Sequence, residues 1–168
     1  WRITHNVIHH TYPNVHGLDE DLEVSPLLRL SPHAKLRSFH RYQHLYGFAA
    51  YSLTTLFWVF IKDYRYFLKR DLGPFEGKRH PKSEILTLFG TKLLHYAYTI
   101  AIPLTVVEVA WWQFLIGFLA MHLTAGIILG VVFQLAHVVE GTDHPMPAND
   151  GSMENAWMVH QMEPTSDF

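Results

Sequence analysis

Cysteine does not occur in the 168 residues. Its absence excludes disulfide frameworks, thiolate zinc sites, iron–sulfur clusters and cysteine nucleophiles from this stretch, so any metal must be held by nitrogen or oxygen. Charge is scarce as well: 17% of the residues are charged and 49% hydrophobic, against roughly 25% charged in an ordinary soluble protein. That composition, with a net charge of −2, argues against a disordered chain and against a nucleic-acid partner. Basic residues vanish from the second half, all 13 Lys and Arg lying between Arg2 and Lys92. Such asymmetry suits a membrane protein with one basic side. Strand-type alternation and internal repeats are absent too, which leaves helices. The sequence opens at Trp1 inside a motif and stops at Phe168 with no closing element, so a piece of a longer protein is expected.

Two apolar runs dominate what is there. Residues 93–110 read LLHYAYTIAIPLTVVEVA and residues 113–136 read QFLIGFLAMHLTAGIILGVVFQLA. The second reaches about 36 Å as a helix, enough to cross a bilayer with some tilt. Glu108 beside Trp111 and Trp112 marks a turn at the headgroup level, so the two runs are expected to form a transmembrane hairpin. Pro103 should kink the first run, and Gly126 and Gly130 let another helix, the hairpin partner or one outside the chain, approach the second. A third run at 44–61 is shorter and is interrupted by Gly47, Ser52, Thr54 and Thr55. Basic segments flank it on both sides and favour the cytoplasmic face, so a helix lying in the interface, or dipping in and returning, is expected. Ser31-Pro32 predicts a helix start near His33, Gly73-Pro74 an interruption, and residues 153–162 a short helix after a turn-rich loop. The fold class is all-α, an integral membrane helical bundle. Its expected parts are a cytoplasmic histidine segment (1–43), an interfacial or re-entrant helix (44–61), a basic cytoplasmic segment (62–92), the hairpin (93–136) and a cytoplasmic end (137–168).

Histidine is abundant, with 13 residues. The opening WRITHNVIHHTYPNVHG holds His5, His9, His10 and His16. On a helix His5 and His9 share a face and His10 lies about 100° further round, so the first three imidazoles converge on one small volume. Such a cluster suits iron, zinc, copper or nickel better than magnesium or calcium. Ligating imidazoles need partners for their other N–H, and Asn14, His16, Asp19 and Asp21 are near enough to serve. His40 and His44 sit among Arg41, Tyr42 and Tyr46 and read as an interfacial surface. His122 falls in mid-membrane, about 22 Å from His137 along one helix, and is expected to bond to another helix or to line a cavity.

HNVIHHTYPNVHGLDEDL resembles the second histidine box of the membrane fatty-acid desaturases. SPLLRLSPHAKLRSFHRYQHLY, FQLAHVVEGTDHP and ENAWMVHQME are similar to the bacterial front-end, linoleoyl-CoA-desaturase-like branch of that family. The resemblance implies part of a single desaturase domain, carrying a non-haem centre of two iron ions held by three histidine boxes on the cytoplasmic side of a bacterial inner membrane. It implies a fatty acyl substrate linked to coenzyme A or lipid, O2 as co-substrate, surrounding membrane lipid, and electrons from a donor such as cytochrome b5 or ferredoxin. The product would be a cis double bond. The first box would precede Trp1 and the third would follow Phe168. Carried over by the resemblance, His5, His9, His10 and His137 are the metal ligands expected here, with Gln134 and His160 as weaker candidates. A membrane hydroxylase or alkane monooxygenase on a similar scaffold, and a histidine-rich metal-binding or transport protein, are the rival readings.

Overall fold

The computed structural model describes residues 3–22, 26–72, 75, 77 and 80–166, and the interruption expected at Gly73-Pro74 lies outside them. Among the described residues there is no strand, only an isolated bridge between Leu72 and Phe75. Six helical elements follow one another. They are α1 (Thr4–His9), α2 (Ser38–Ser52), α3 (Thr54–Leu68), α4 (Lys82–Val106), α5 (Trp111–His137) and α6 (Trp157–Met162).

The helices α4 and α5 are both long and apolar enough to cross a membrane. At 27 residues α5 is about 40 Å long, and only His122, Gly126 and Gly130 of it are buried in the protein. Trp111, Ile116, Met121, Ile128 and Val132 are exposed around its circumference, a surface that hydrocarbon satisfies and water does not. Against the expected 93–110, α4 starts at Lys82 and ends at Val106, where Val107 turns extended. Pro103 has no N–H for the carbonyl of Thr99, and the helix widens to π winding over Ala97–Ala101 directly ahead of it. Gln113 closes the turn into α5 by accepting the Ala110 N–H at 2.9 Å.

Between the two long helices sits a bent pair. The axes of α2 and α3 differ by 56° across a break at Leu53. Ser52 donates its hydroxyl back to the Ala49 carbonyl at 2.7 Å, a bond that competes with helix continuation. The Ser52 carbonyl is pressed instead against α5, where a Cβ added to Gly126 would lie 2.1 Å from it. A Cβ on Gly130 would lie 2.9 Å from Tyr51 Cβ. The glycine pair therefore admits the α2–α3 junction, not the hairpin partner or an outside helix. His122 makes a helix-to-helix bond at the same level: Thr55 donates to its carbonyl at 2.8 Å, and the Thr55 hydroxyl lies 3.1 Å from its Nδ1. Both ends of the pair return to the N-terminal segment. His40 and Tyr46 donate to the carbonyls of Pro26 and Leu27, while Lys62 and Lys69 pair with Asp21 and Glu20.

Two expected starts are displaced. Ser31 caps a turn, its hydroxyl accepting the His33 N–H at 3.2 Å, and the helix begins only at Ser38 after an extended Arg37. The Arg29 guanidinium bonds to the carbonyls of Pro32 and Ala34, so those carbonyls are spent before a helix can use them. The last helix is shorter than 153–162 and spans Trp157–Met162.

The close approach at Gly126 generates a direct test. Gly126→Leu must displace backbone, an overpacking that costs about 1–3 kcal/mol or more. It is expected to lower the thermal unfolding midpoint of the intact protein in detergent, whereas Gly117→Ala, with nothing within 4 Å, leaves it unchanged.

Candidate metal centre

The site begins with the winding of α1. Its Ile8 N–H bonds to the Ile3 carbonyl at 2.9 Å and its His10 N–H to the His5 carbonyl at 3.2 Å, both closing five-residue turns. An α-helix would carry His10 away from His5, but π winding brings residues i and i+5 together. The three rings accordingly sit 5.1 Å (His5 to His9), 5.0 Å (His5 to His10) and 5.3 Å (His9 to His10) apart. Ile8 and Val15, both 0% exposed, anchor this segment from below. The end of α5 supplies a fourth ring, His137, 4.8 Å from His9. Imidazoles 128 residues apart in sequence thus share one volume.

Three of the four rings turn Nδ1 to an oxygen. His9 Nδ1 lies 3.0 Å from Asp19 Oδ2, His5 Nδ1 lies 3.3 Å from Asp21 Oδ2, and His137 Nδ1 lies 3.3 Å from the Pro164 carbonyl. Carboxylate and carbonyl oxygens only accept, so in all three rings Nδ1 donates, and in the neutral ring Nε2 keeps its lone pair. That is how a protein orients imidazoles for a metal. Burial pushes the His9 pKa down, but the hydrogen bond and charge of Asp19 outweigh it and leave it above the ordinary histidine value. Burial, with the neighbouring charges of His9 and His5, pushes His10 the other way and favours its neutral, ligating form.

Asp19 and Asn14 hold the arrangement in place. Asp19 is 1% exposed, and besides His9 it accepts the N–H groups of Asn14 and Asp21, each at 3.0 Å. Asn14 takes a left-handed backbone conformation at φ 58°. Its Nδ2 donates to the carbonyls of His137 (2.6 Å), Asp143 (3.1 Å) and Pro164 (3.2 Å). One buried amide therefore ties the histidine loop to the end of α5 and to the last segment. Asp21 has a second possibility, since it and His5 and His9 each place a ligand-type atom within 4.8 Å of the others. Lys62 Nζ, 3.3 Å from Asp21 Oδ1, competes with that use of the carboxylate, and the charges of Lys62 and His9 lower its pKa against the effect of burial.

A cavity of about 340 Å³ opens from the imidazoles into the helices. His5, His9, His10 and His137 line its polar end, with Asn14, Asp19, Asp21 and Gln134 beside them. Tyr51, Thr54, Trp58, Gly130 and Phe133 line the other. Gln134 Oε1 is buried there without a hydrogen-bond partner among the described residues, as a group that faces a metal or its bound water would be. His16 and His160 do not line the cavity. His160 is buried in α6 with its Nε2 unpartnered, and burial pushes its pKa down. Sequence reasoning missed Lys62 and Trp58. Their signal was a four-residue spacing at the end of the third apolar run, legible only once that run is known to return to the histidines.

Asp19→Ala removes the acceptor of His9 and two loop bonds together. Metal affinity of the intact protein, measured by chelator competition, is expected to fall by about 10–100-fold, and Asp150→Ala, on an exposed turn, should leave it unchanged.

Comparison with known proteins identifies the family. The family model described as fatty acid desaturase matches residues 1–167. An sn-1 linoleoyl-lipid 6-desaturase of Arthrospira platensis is 32% identical over 168 residues, covering 100% of this chain and 45% of the relative. One from Synechocystis is 30% identical over 172 residues, covering 100% of this chain and 47% of the relative. An acyl-lipid (8-3)-desaturase of Physcomitrium patens is 29% identical, covering 100% of this chain and 35% of its own length. The chain thus spans less than half the length of these relatives, and no solved structure matches it. With the histidine turn, the two long apolar helices and a family match along nearly its whole length, the chain belongs to the fatty acid desaturase family.

Proposed function

We propose that the protein carrying this chain is an oxygen-dependent membrane desaturase that introduces a cis double bond into a fatty acyl chain. One observation carries the reading: four imidazoles, three of them with Nδ1 on an oxygen acceptor, open onto a cavity whose far wall is largely apolar. Removing hydrogen from an unactivated methylene is beyond side-chain acid–base chemistry. Two non-haem irons on histidine would supply the oxidising power, with O2 and two electrons from a donor such as cytochrome b5 or ferredoxin. The balance is one acyl –CH2–CH2– unit, O2, two electrons and two protons giving –CH=CH– and two waters.

The rest of the work belongs to the protein. His5, His9, His10 and His137 would hold the metal, and Asp19 and Asp21 fix the rings of His9 and His5. The unpartnered Gln134 Oε1 would turn toward it. Trp58, Phe133 and Tyr51 shape a dry slot for methylenes and exclude water from the reacting carbons. Two irons need more ligands than these, and the family resemblance implies that further histidine boxes outside this chain would supply them. The relatives' names favour an acyl chain carried on lipid.

The contacts of the bent pair support a dip into the bilayer and a return to the same face, because both ends touch the histidine segment while the junction lies against mid-α5. The basic residues on α2, α3 and their flanks support a cytoplasmic orientation for that face and the histidines, and the inner membrane of a bacterium is the location this reading assigns. A transport pathway would need ionisable groups along the spans. His122, the buried one in α5, is already engaged by Thr55.

Expression of the intact protein in a host lacking the product, with acyl chains analysed by mass spectrometry, tests the reading. An alkene without added oxygen is expected, and an alcohol product overturns it in favour of hydroxylation. His5→Ala, His9→Ala, His10→Ala and His137→Ala should each abolish the alkene while membrane insertion persists.

A further inference from the structure

Among the described residues that line the cavity, Lys62 is a cation that the proposed ligand set does not use. Lys62 ends the π turn Trp58–Lys62 of α3, and its side chain is only 12% exposed. Its Nζ lies 5.3 Å from the Trp58 ring centre and 5.5 Å from that of Tyr66. Packed between aromatic rings, the stem has little freedom, and the ammonium ends 3.3 Å from Asp21 Oδ1.

Asp21 differs from Asp19 in how it is held. Asp19 accepts two backbone N–H groups and is fixed by the chain itself. Asp21 carries His5 on one oxygen, with His9 Nδ1 at 3.9 Å, and Lys62 on the other. It is also the carboxylate close enough to His5 and His9 to share a cation with them. Its side chain is 36% exposed against 1% for Asp19, so packing holds it less tightly. A charge-assisted bond from a stem that cannot follow keeps it from turning.

We propose that Lys62 is a positioning residue that holds Asp21 as the acceptor of the His5 Nδ1–H and keeps its carboxylate out of the metal's own ligand set. The inference rests on the metal reading above. Without the ammonium, Asp21 turns toward the metal, an oxygen ligand replaces nitrogen, and His5 loses its orienting bond. Because Lys62 and Trp58 belong to one turn of α3, the helix that walls the acyl slot also sets the geometry of the metal ligands.

The test uses the intact protein loaded with cobalt(II) as a spectroscopic probe. In Lys62→Met, cobalt affinity by chelator competition should fall about tenfold, and the visible ligand-field bands should move as oxygen replaces nitrogen. Lys62→Arg should restore both. Lys62→Met in an Asp21→Asn background should add nothing to Asp21→Asn alone, the signature of two groups acting as one. Lys62→Gln, which keeps most of the stem and loses the charge, carries the same expectations should the methionine variant fail to insert. Wild-type affinity and spectrum in the charge-free variants, or full additivity with Asp21→Asn, overturns the role of Lys62. Wild-type protein that takes up no cobalt overturns the metal reading beneath it, a result the variants cannot mimic.

Discussion

A carboxylate that is almost wholly buried, Asp19, has to be satisfied by the groups around it or the amino-terminal loop cannot close. It accepts from His9 Nδ1 and from the backbone of Asn14 and Asp21. Hydrogen bonds to a charged group contribute about 1.5–3 kcal/mol each, so the loop conformation, the left-handed Asn14 and the tautomer of His9 are decided together. Asn14 then passes that constraint on, since its amide captures carbonyls at the end of α5 and in the last segment. The position of His137 relative to His9 follows from this network and not from any contact between the two spans.

The apolar part of the molecule is governed by a different constraint. Lipid gives helices no hydrophobic reason to associate, so close approach and polar pairs must do it. Gly126 and Gly130 provide the approach, and Thr55 with His122 provides the pair. Together they seat the α2–α3 junction halfway along α5 and leave room between junction and histidines for the cavity. Within the π turn of α3 the Val59 carbonyl accepts from Lys92 at 2.7 Å and Tyr96 at 3.1 Å on α4. Among the described residues, wider winding occurs at the histidines and at Lys62, where it re-aims side chains, and ahead of Pro103, where the proline lacks an N–H.

Much of this was legible in the sequence because it depends on residue type and short spacing. The His5, His9, His10 group, the long apolar runs and the need for acceptors near the box are of that kind. The convergence of His137 was legible only through family resemblance, since nothing local in FQLAH says which segment it meets. The helix start expected at Ser31-Pro32 failed because Arg29, a residue outside the capping pattern, takes the carbonyls. The partner of the glycine pair was hidden because the helix that fits it carries its own break, at Ser52 and Leu53, and a broken helix has no clean periodicity. In the sequence Lys62 is one of many basic residues of the segment 62–92, and its partner Asp21 lies 41 positions away.

The measurement that bears most directly on the account is X-ray absorption at the iron edge of the intact protein loaded with ferrous ion. Convergence of His5, His9, His10 and His137 predicts a nitrogen-dominated first shell with the outer-ring scattering of several imidazoles, diminished when His137 alone is replaced. A first shell of oxygen without imidazole scattering, or a spectrum indifferent to His137, would contradict it.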